Sequence, residues 1–160
     1  MISKSDKILF RNTIKNSAPI NKDKIAPQNL AKKKAFKAYN YITHGSLTGS
    51  AVINYAKNSV SPKIIKRMKQ GNINYAPILD LHGQTTIEAC QSLSEFIHYH
   101  QHQKFIHIIH GKGYNSSQDN GLLKSQVVSF LSQHPEVLAF NSCPPKDGGT
   151  GAVFTLLKQN

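Results

Sequence analysis

From residue 78 onward the apolar residues switch back and forth between strand-type runs and helical spacing, and this alternation restricts the chain to an α/β fold more tightly than any other feature. Residues 78–81 form a short apolar run. Thr85 and Glu88 then make a Thr-x-x-Glu capping box ahead of Ile87, Cys90, Leu93, Phe96 and Ile97, which recur at helical spacing. A second β-rich run, residues 105–109, leads through a glycine-punctuated loop at 111–121 into a helix in which Leu123, Val127, Phe130 and Leu131 share a face until Pro135 closes it. Residues 137–143 and 152–157 read as two further strands joined by a loop at 144–151. The order β-α-β-α-β-β predicts a small two-layer α/β sandwich on a mixed four-stranded sheet, parallel across the helical crossovers and completed by an antiparallel edge strand.

The 160 residues suffice for one ordinary domain and an extension, and charge shows where the extension lies. Of the 20 Lys and Arg, 15 fall in residues 1–77 with only 2 acids, whereas residues 78–160 hold 5 against 6 acids. The expected division is a basic, partly helical extension over 1–76 and a folded domain over 77–158. Within the extension, residues 5–14 suit a short helix, 19–27 a linker and 28–42 an amphipathic basic helix. Residues 61–71 suit another, with Ser61 as N-cap, Pro62 at the first position and Gly71 as the stop.

A basic block of this size calls for an anionic partner, such as a nucleic-acid backbone, an rRNA surface or an anionic membrane. The membrane is the weaker of these, because the apolar face of residues 28–42 is mostly alanine. No run approaches the roughly 20 apolar residues that span a bilayer. Residues 1–19 scatter charge where a secretory signal would be apolar, so a cytosolic protein is expected. Cys90 and Cys143 make no CxxC pair and no disulfide framework, and both suit small buried positions.

In an open α/β sheet, ligands gather at the carboxyl ends of the parallel strands, where helix N-termini aim N–H groups into the same space. Asp80-Leu81-His82-Gly83 follows the first strand, His110-Gly111-Lys112-Gly113 the second, and Gly148-Gly149-Thr150-Gly151 precedes the last. Asp80 and His82 stand two apart and project from one strand face, so the carboxylate can fix the imidazole tautomer and raise its basicity, making His82 a general base. His110 is placed to protonate a leaving oxygen or to stabilise charge on a phosphate. Lys112 offers a point charge, and the glycine-rich backbone at Gly148, Gly149, Thr150 and Gly151 lets N–H groups approach phosphate oxygens, with Gly83, Gly111 and Gly113 in the same phosphate-binding set. Each motif alone has a plainer reading: a turn-stabilising Asp–His bond, a solvated lysine, a tight β-β connection.

Taken together and in order, LDLHG, IHGKG and GGTGA resemble the Smr (small MutS-related) domain family over residues 77–158. The lead-in KRMKQGNINYAPILDLHG is similar to that of the stand-alone proteobacterial members, and no Walker motif points to a MutS-like ATPase. The resemblance implies a fold like the C-terminal domain of translation initiation factor three and an endonuclease that nicks DNA or cleaves RNA. It also allows contact with the ribosome through the basic extension. The implied motif residues are Asp80, His82, His110, Gly111, Gly113, Gly148, Gly149 and Gly151.

The intact DLHG favours an active site, with a non-catalytic nucleic-acid-binding module as the competing reading. Asp80, His82 and His110 suit either acid–base chemistry or a divalent metal such as Mg or Mn, and the choice between RNA and DNA stays open. His98 and His102 stand four apart, a zinc-chelating spacing on a helix, yet no Cys or acid accompanies them, so a His-rich helix end is the reading. His107 is expected to pack on the sheet, and His134 to sit as a cation at a helix C-terminus.

Overall fold

The computed structural model describes Phe36, residues 47–113 and residues 121–159. Two compact units are distinguished, Met1–Lys33 and Lys34–Asn160, and the described residues all belong to the second. The helices expected at 5–14 and 28–42, the linker at 19–27 and most of the loop at 111–121 lie outside the described residues, apart from Phe36 itself. The elements are β1 (Asn54–Ala56), α1 (Pro62–Lys69), β2 (Ile78–Asp80), α2 (Thr86–Tyr99), β3 (Phe105–Ile109), α3 (Leu122–Gln133), β4 (Val137–Ser142) and β5 (Ala152–Leu157).

The expected α/β class and strand–helix order hold, with more built around them. The sheet has five strands in the order β1-β4-β5-β3-β2, and only β2 and β3 are parallel neighbours. β5 pairs antiparallel with both β3 and β4, so the final strand lies inside the sheet and not at its edge. The reason is visible in AVFTLL: the run does not alternate, all six residues are buried, and a strand apolar on both faces must be covered on both. The fifth strand is β1, which lines the outer edge of β4 through the register Asn54↔Asn141 to Ala56↔Ala139. Ile53 N–H donates to Ser142 Oγ at 2.9 Å and Ser142 N–H to Ile53 O at 3.0 Å, which fastens the start of that pairing.

Helices cover both faces, so the sandwich has a third, partial layer. On one side α2 and α3 pack Leu93, Ile97, Val127 and Phe130 onto Ile106, Ile108, Phe140 and Val153. On the other, α1 seats fully buried Met68 among Phe105, Ala139, Phe154 and Leu156, a burial worth about 2 kcal/mol. A bulge between Val137 and Ala139 shifts the alternation of β4, so that Val137 and Phe140 serve the first face and Ala139 the second. Residues 54–69, assigned from charge to an extension, thus supply an edge strand and a layer of the packed unit. Among the described residues no helix is long and apolar enough to cross a membrane.

The local signals at α2 are realised in full. Thr85 Oγ1 accepts from Glu88 N–H at 3.3 Å while the Glu88 carboxylate accepts from Thr85 N–H at 2.8 Å, which fixes the helix start directly after the first motif. Asp80 is in register with Ile109, and Ile109 with Ala152. All three polar motifs therefore emerge at one end of the sheet.

Candidate functional site

Asp80 closes β2, and the chain turns so that Asp80 Oδ1 accepts twice from His82: from the backbone N–H at 3.0 Å and from ring Nδ1 at 2.7 Å. The backbone donor is the main cause holding the Asp80 carboxyl below its usual range, against slight burial and with the imidazole adding to it. The bond to Nδ1 places the ring proton there and leaves Nε2 with its lone pair. The His82 side chain is 77% exposed, so that lone pair is open to a ligand.

An open groove of about 720 Å³ runs from this dyad between the starts of α2 and α3. His82, Gly83, His110, Gly111, Lys112 and Gly113 all line it, so the first two motifs share one site. Its other walls include Thr85 and Thr86 at the start of α2 and Gly121 and Leu122 at the start of α3. Both helices thus open their positive ends on the groove, and α3 has neither a side-chain cap nor an acid in its first turn. Lys112 is exposed beside them.

The third motif enters differently. Gly148, Gly149 and Thr150 are not among the groove walls, and the N–H groups of Gly148, Gly149 and Gly151 donate to Pro145, Pro144 and Gly148 carbonyls within their own turn. At Gly148, Gly149 and Gly151 the N–H groups are thus engaged within the loop, as consecutive short turns require. What reaches the site is the Gly151 carbonyl, which accepts from His110 N–H at 3.0 Å and Gly111 N–H at 2.9 Å. A Cβ on Gly151 would come 3.4 Å from Gly111 C and 3.2 Å from Lys112 Cγ, so glycine lets the two turns touch. His107, packed on the sheet as expected, steadies the same loop: its Nε2 lies 3.1 Å from Asp147 O and its ring 4.8 Å from that of Phe154.

His110, expected to protonate a leaving oxygen or to stabilise charge on a phosphate, is a buried wall of the groove. It is only 3% exposed, Nδ1 donates to Gly111 O at 2.8 Å, and Nε2 is buried with no partner among the described residues. Burial pushes this imidazole down to about 4; the Gly111 carbonyl opposes the shift and the Lys124 ammonium adds to it. At neutral pH the ring is uncharged and has no proton on Nε2 to give.

Lys124 was not singled out from sequence. It is 1% exposed beneath the groove, and its Nζ donates to the carbonyls of Thr48, Gly49 and Ala51 at 3.1, 3.1 and 2.5 Å. The available signal was a lysine in step with buried Val127 and Leu131, three and seven residues on. This clasp holds residues 48–51 against α3, and Leu47 completes it: Leu47 N–H donates to Ser125 Oγ, while a Cβ on Gly121 would overlap Leu47 O at 1.6 Å.

The remaining histidines and cysteines lie elsewhere. α2 ends at Tyr99 with His100 as its cap, so His102 falls beyond the helix and does not share a helical face with His98. His134 is 4% exposed and burial pushes it down to about 4, so the expected helix-end cation is neutral. The dipole offers ~2 kcal/mol at most, less than the ~3 kcal/mol implied by that shift. Cys90 and Cys143 are buried thiols, the latter pushed up to about 12 chiefly by burial. Among the described residues no three His, Cys, Asp or Glu side chains form a metal-ligand group, so Asp80, His82 and His110 do not converge on one.

Known proteins share the sequence pattern and the fold. The sequence profile of the Smr domain matches residues 79–158. A protein of Tolumonas auensis named ribosome rescue factor SmrB is 31% identical over 169 residues, 97% of this chain and 94% of its own length. A relative of the same name from Buchnera aphidicola of Acyrthosiphon pisum is 31% identical over 124 residues, 76% of this chain but only 63% of its own length. Among solved structures, YdaL, a stand-alone small MutS-related protein from Escherichia coli, superposes with a TM-score of 0.66 at 20% identity, covering 79% of this chain and 96% of YdaL.

Proposed function

This chain belongs to the Smr domain family, and on that premise we propose that it is an endonuclease that cuts RNA phosphodiester bonds at the ribosome. The observation that carries the reading is the Asp80–His82 dyad, at 2.7 Å, opening on a groove that also holds Lys112 and two helix N-termini. A base stands beside a seat for an anion, which is what phosphodiester cleavage requires. The name ribosome rescue factor carried by the relatives supports the ribosomal setting, and the 15 Lys and Arg of residues 1–77 suit an rRNA surface.

In this reading His82 Nε2 takes the proton of the substrate 2′-hydroxyl. The 2′-oxygen bonds to phosphorus, the P–O5′ bond breaks, and the 5′-oxygen leaves with a proton returned by the imidazolium or water. Asp80 stabilises the imidazolium formed between these steps, while Lys112 and the N-termini of α2 and α3 hold the phosphate oxygens. Neutral His110 is a positioning residue here: its bond to Gly111 O shapes the turn that carries Lys112. Water attack on DNA would instead call for a divalent ion such as Mg or Mn and would make the reaction sensitive to EDTA.

The test is incubation of the purified protein with labelled single-stranded RNA, supercoiled plasmid and linear duplex, each with EDTA, Mg²⁺ or Mn²⁺. The expected result is EDTA-resistant RNA cleavage that leaves 2′,3′-cyclic phosphate and 5′-hydroxyl ends and stops at a 2′-deoxy position. Metal-dependent plasmid nicking would replace RNA by DNA. Binding without any cutting would leave the second reading, a non-catalytic nucleic-acid module, which is favoured by the burial of His110 Nε2 and by the engaged N–H groups of the glycine loop.

A further inference from the structure

We infer that α1 carries a second nucleic-acid surface, a basic track that receives the substrate strand where it leaves the groove and crosses the 144–151 loop. The inference rests on the nucleic-acid reading of the groove and extends it to the flanking nucleotides.

Docking of α1 fixes which way its charges point. With Met68 buried and Ile64 and Ile65 half-buried against the sheet, Lys63, Lys66, Arg67 and Lys69 are left exposed together. Residues 24–79 contain no Asp or Glu, and among the described residues no Lys or Arg is paired with a carboxylate. Among the described residues, then, no carboxylate neutralises the four cations. They also repel one another, since Lys63 and Arg67 are four apart and Lys66 and Lys69 three apart, spacings that bring helix side chains together. The helix dipole accounts for cations in the last turn but opposes Lys63 in the first. A surface that keeps unfavourable like charges in register is suited to a polyanion, which relieves the repulsion and releases counterions.

The track is continuous with the groove. At the end of α1, Gly71 lies so close to the next loop that a Cβ there would meet Pro144 Cγ at 2.9 Å and Lys146 Cε at 3.1 Å. At the other end of that loop, Gly151 lies under the Lys112 side chain. Lys146 thus joins α1 to the loop and Lys112 joins the loop to the groove. Asp147, whose Oδ2 also borders Gly71, is the one carboxylate along a path of six cations.

The experiment compares the full chain with a variant carrying Lys66→Gln, Arg67→Gln and Lys69→Gln, using fluorescent single-stranded oligonucleotides of about 4 and about 20 nucleotides. Because all three side chains are exposed, the thermal melt should be unchanged. For the longer strand, the slope of log affinity against log salt should fall by about 2, at roughly 0.7 per lost phosphate contact, while the shorter strand binds within about twofold of the parent. An unchanged slope for the longer strand overturns the track, as does equal weakening for both lengths. So does a loss seen only on phosphatidylglycerol vesicles, which would make α1 a lipid-facing helix. Lys112→Gln separates the two readings: if it leaves the shorter strand's affinity unchanged, the groove reading fails, whereas the slope change of the triple variant reports on α1 alone.

Discussion

The two N–H groups that His82 directs at Asp80 Oδ1 make the pair act as one unit, so its members should fail together. His82→Ala should lower RNA cleavage roughly 100-fold or more, the size of a general-base contribution, with affinity for uncleaved RNA little changed. Asp80→Asn keeps the shape but favours the wrong imidazole tautomer and should lose activity in the same direction, measured as single-turnover rate at saturating enzyme. His110 calls for a different pair of variants. His110→Ala removes the donor to Gly111 O and should lower the rate, while His110→Asn, which can still donate to that carbonyl, should recover much of it. Failure of Asn to rescue would return a chemical role to the ring itself.

Among the elements, β1 and α1 decide where the folded unit can be cut. Removing residues 1–33 takes away 8 Lys and Arg against 2 acids and none of the strands and helices described above, and should leave the melting temperature of the remainder within a few degrees. Removing residues 1–76 strips the outer pairing from β4 and uncovers Phe105, Phe154 and Leu156, a loss on the order of 5 kcal/mol. Denaturant unfolding and binding of a hydrophobic dye compare the two truncations; equal stability would mean that α1 contributes nothing to the core. The longer cut also takes away the carbonyls of Thr48, Gly49 and Ala51, which hold the Lys124 ammonium beneath the groove.

For the molecule as a whole, the two deeply buried histidines set the response to acid. His110 and His134 are each held down to about 4 when folded, against 6.5 when exposed. Between those values the unfolded chain binds protons that the folded chain does not, so stability falls as pH drops from about 6.5 toward 4, by up to roughly 3 kcal/mol per histidine. Asp80, whose carboxyl is held below its usual range, adds its own loss only at still lower pH. Thermal melts at about pH 7.5 and about pH 5 should show this decline, and His134→Gln should shrink it. A flat profile between those values would mean that neither ring is held neutral by burial.

Legibility followed the range of the forces involved. The capping box at Thr85 and Glu88, the strand runs and the three motifs were readable because they depend on neighbours a few residues apart, and motif order was enough to reach the family. The place of β5 between β3 and β4, the third layer under α1, the neutrality of His110 and His134 and the burial of Lys124 were not. Each depends on desolvation or on partners tens of residues distant, as when Lys124 meets carbonyls 73 to 76 positions upstream. Sequence alone determined which residues are candidates for the chemistry and that their strands end together; only the tertiary structure decided which of them stay wet enough to hold a charge or move a proton, because that is settled by what packs over them.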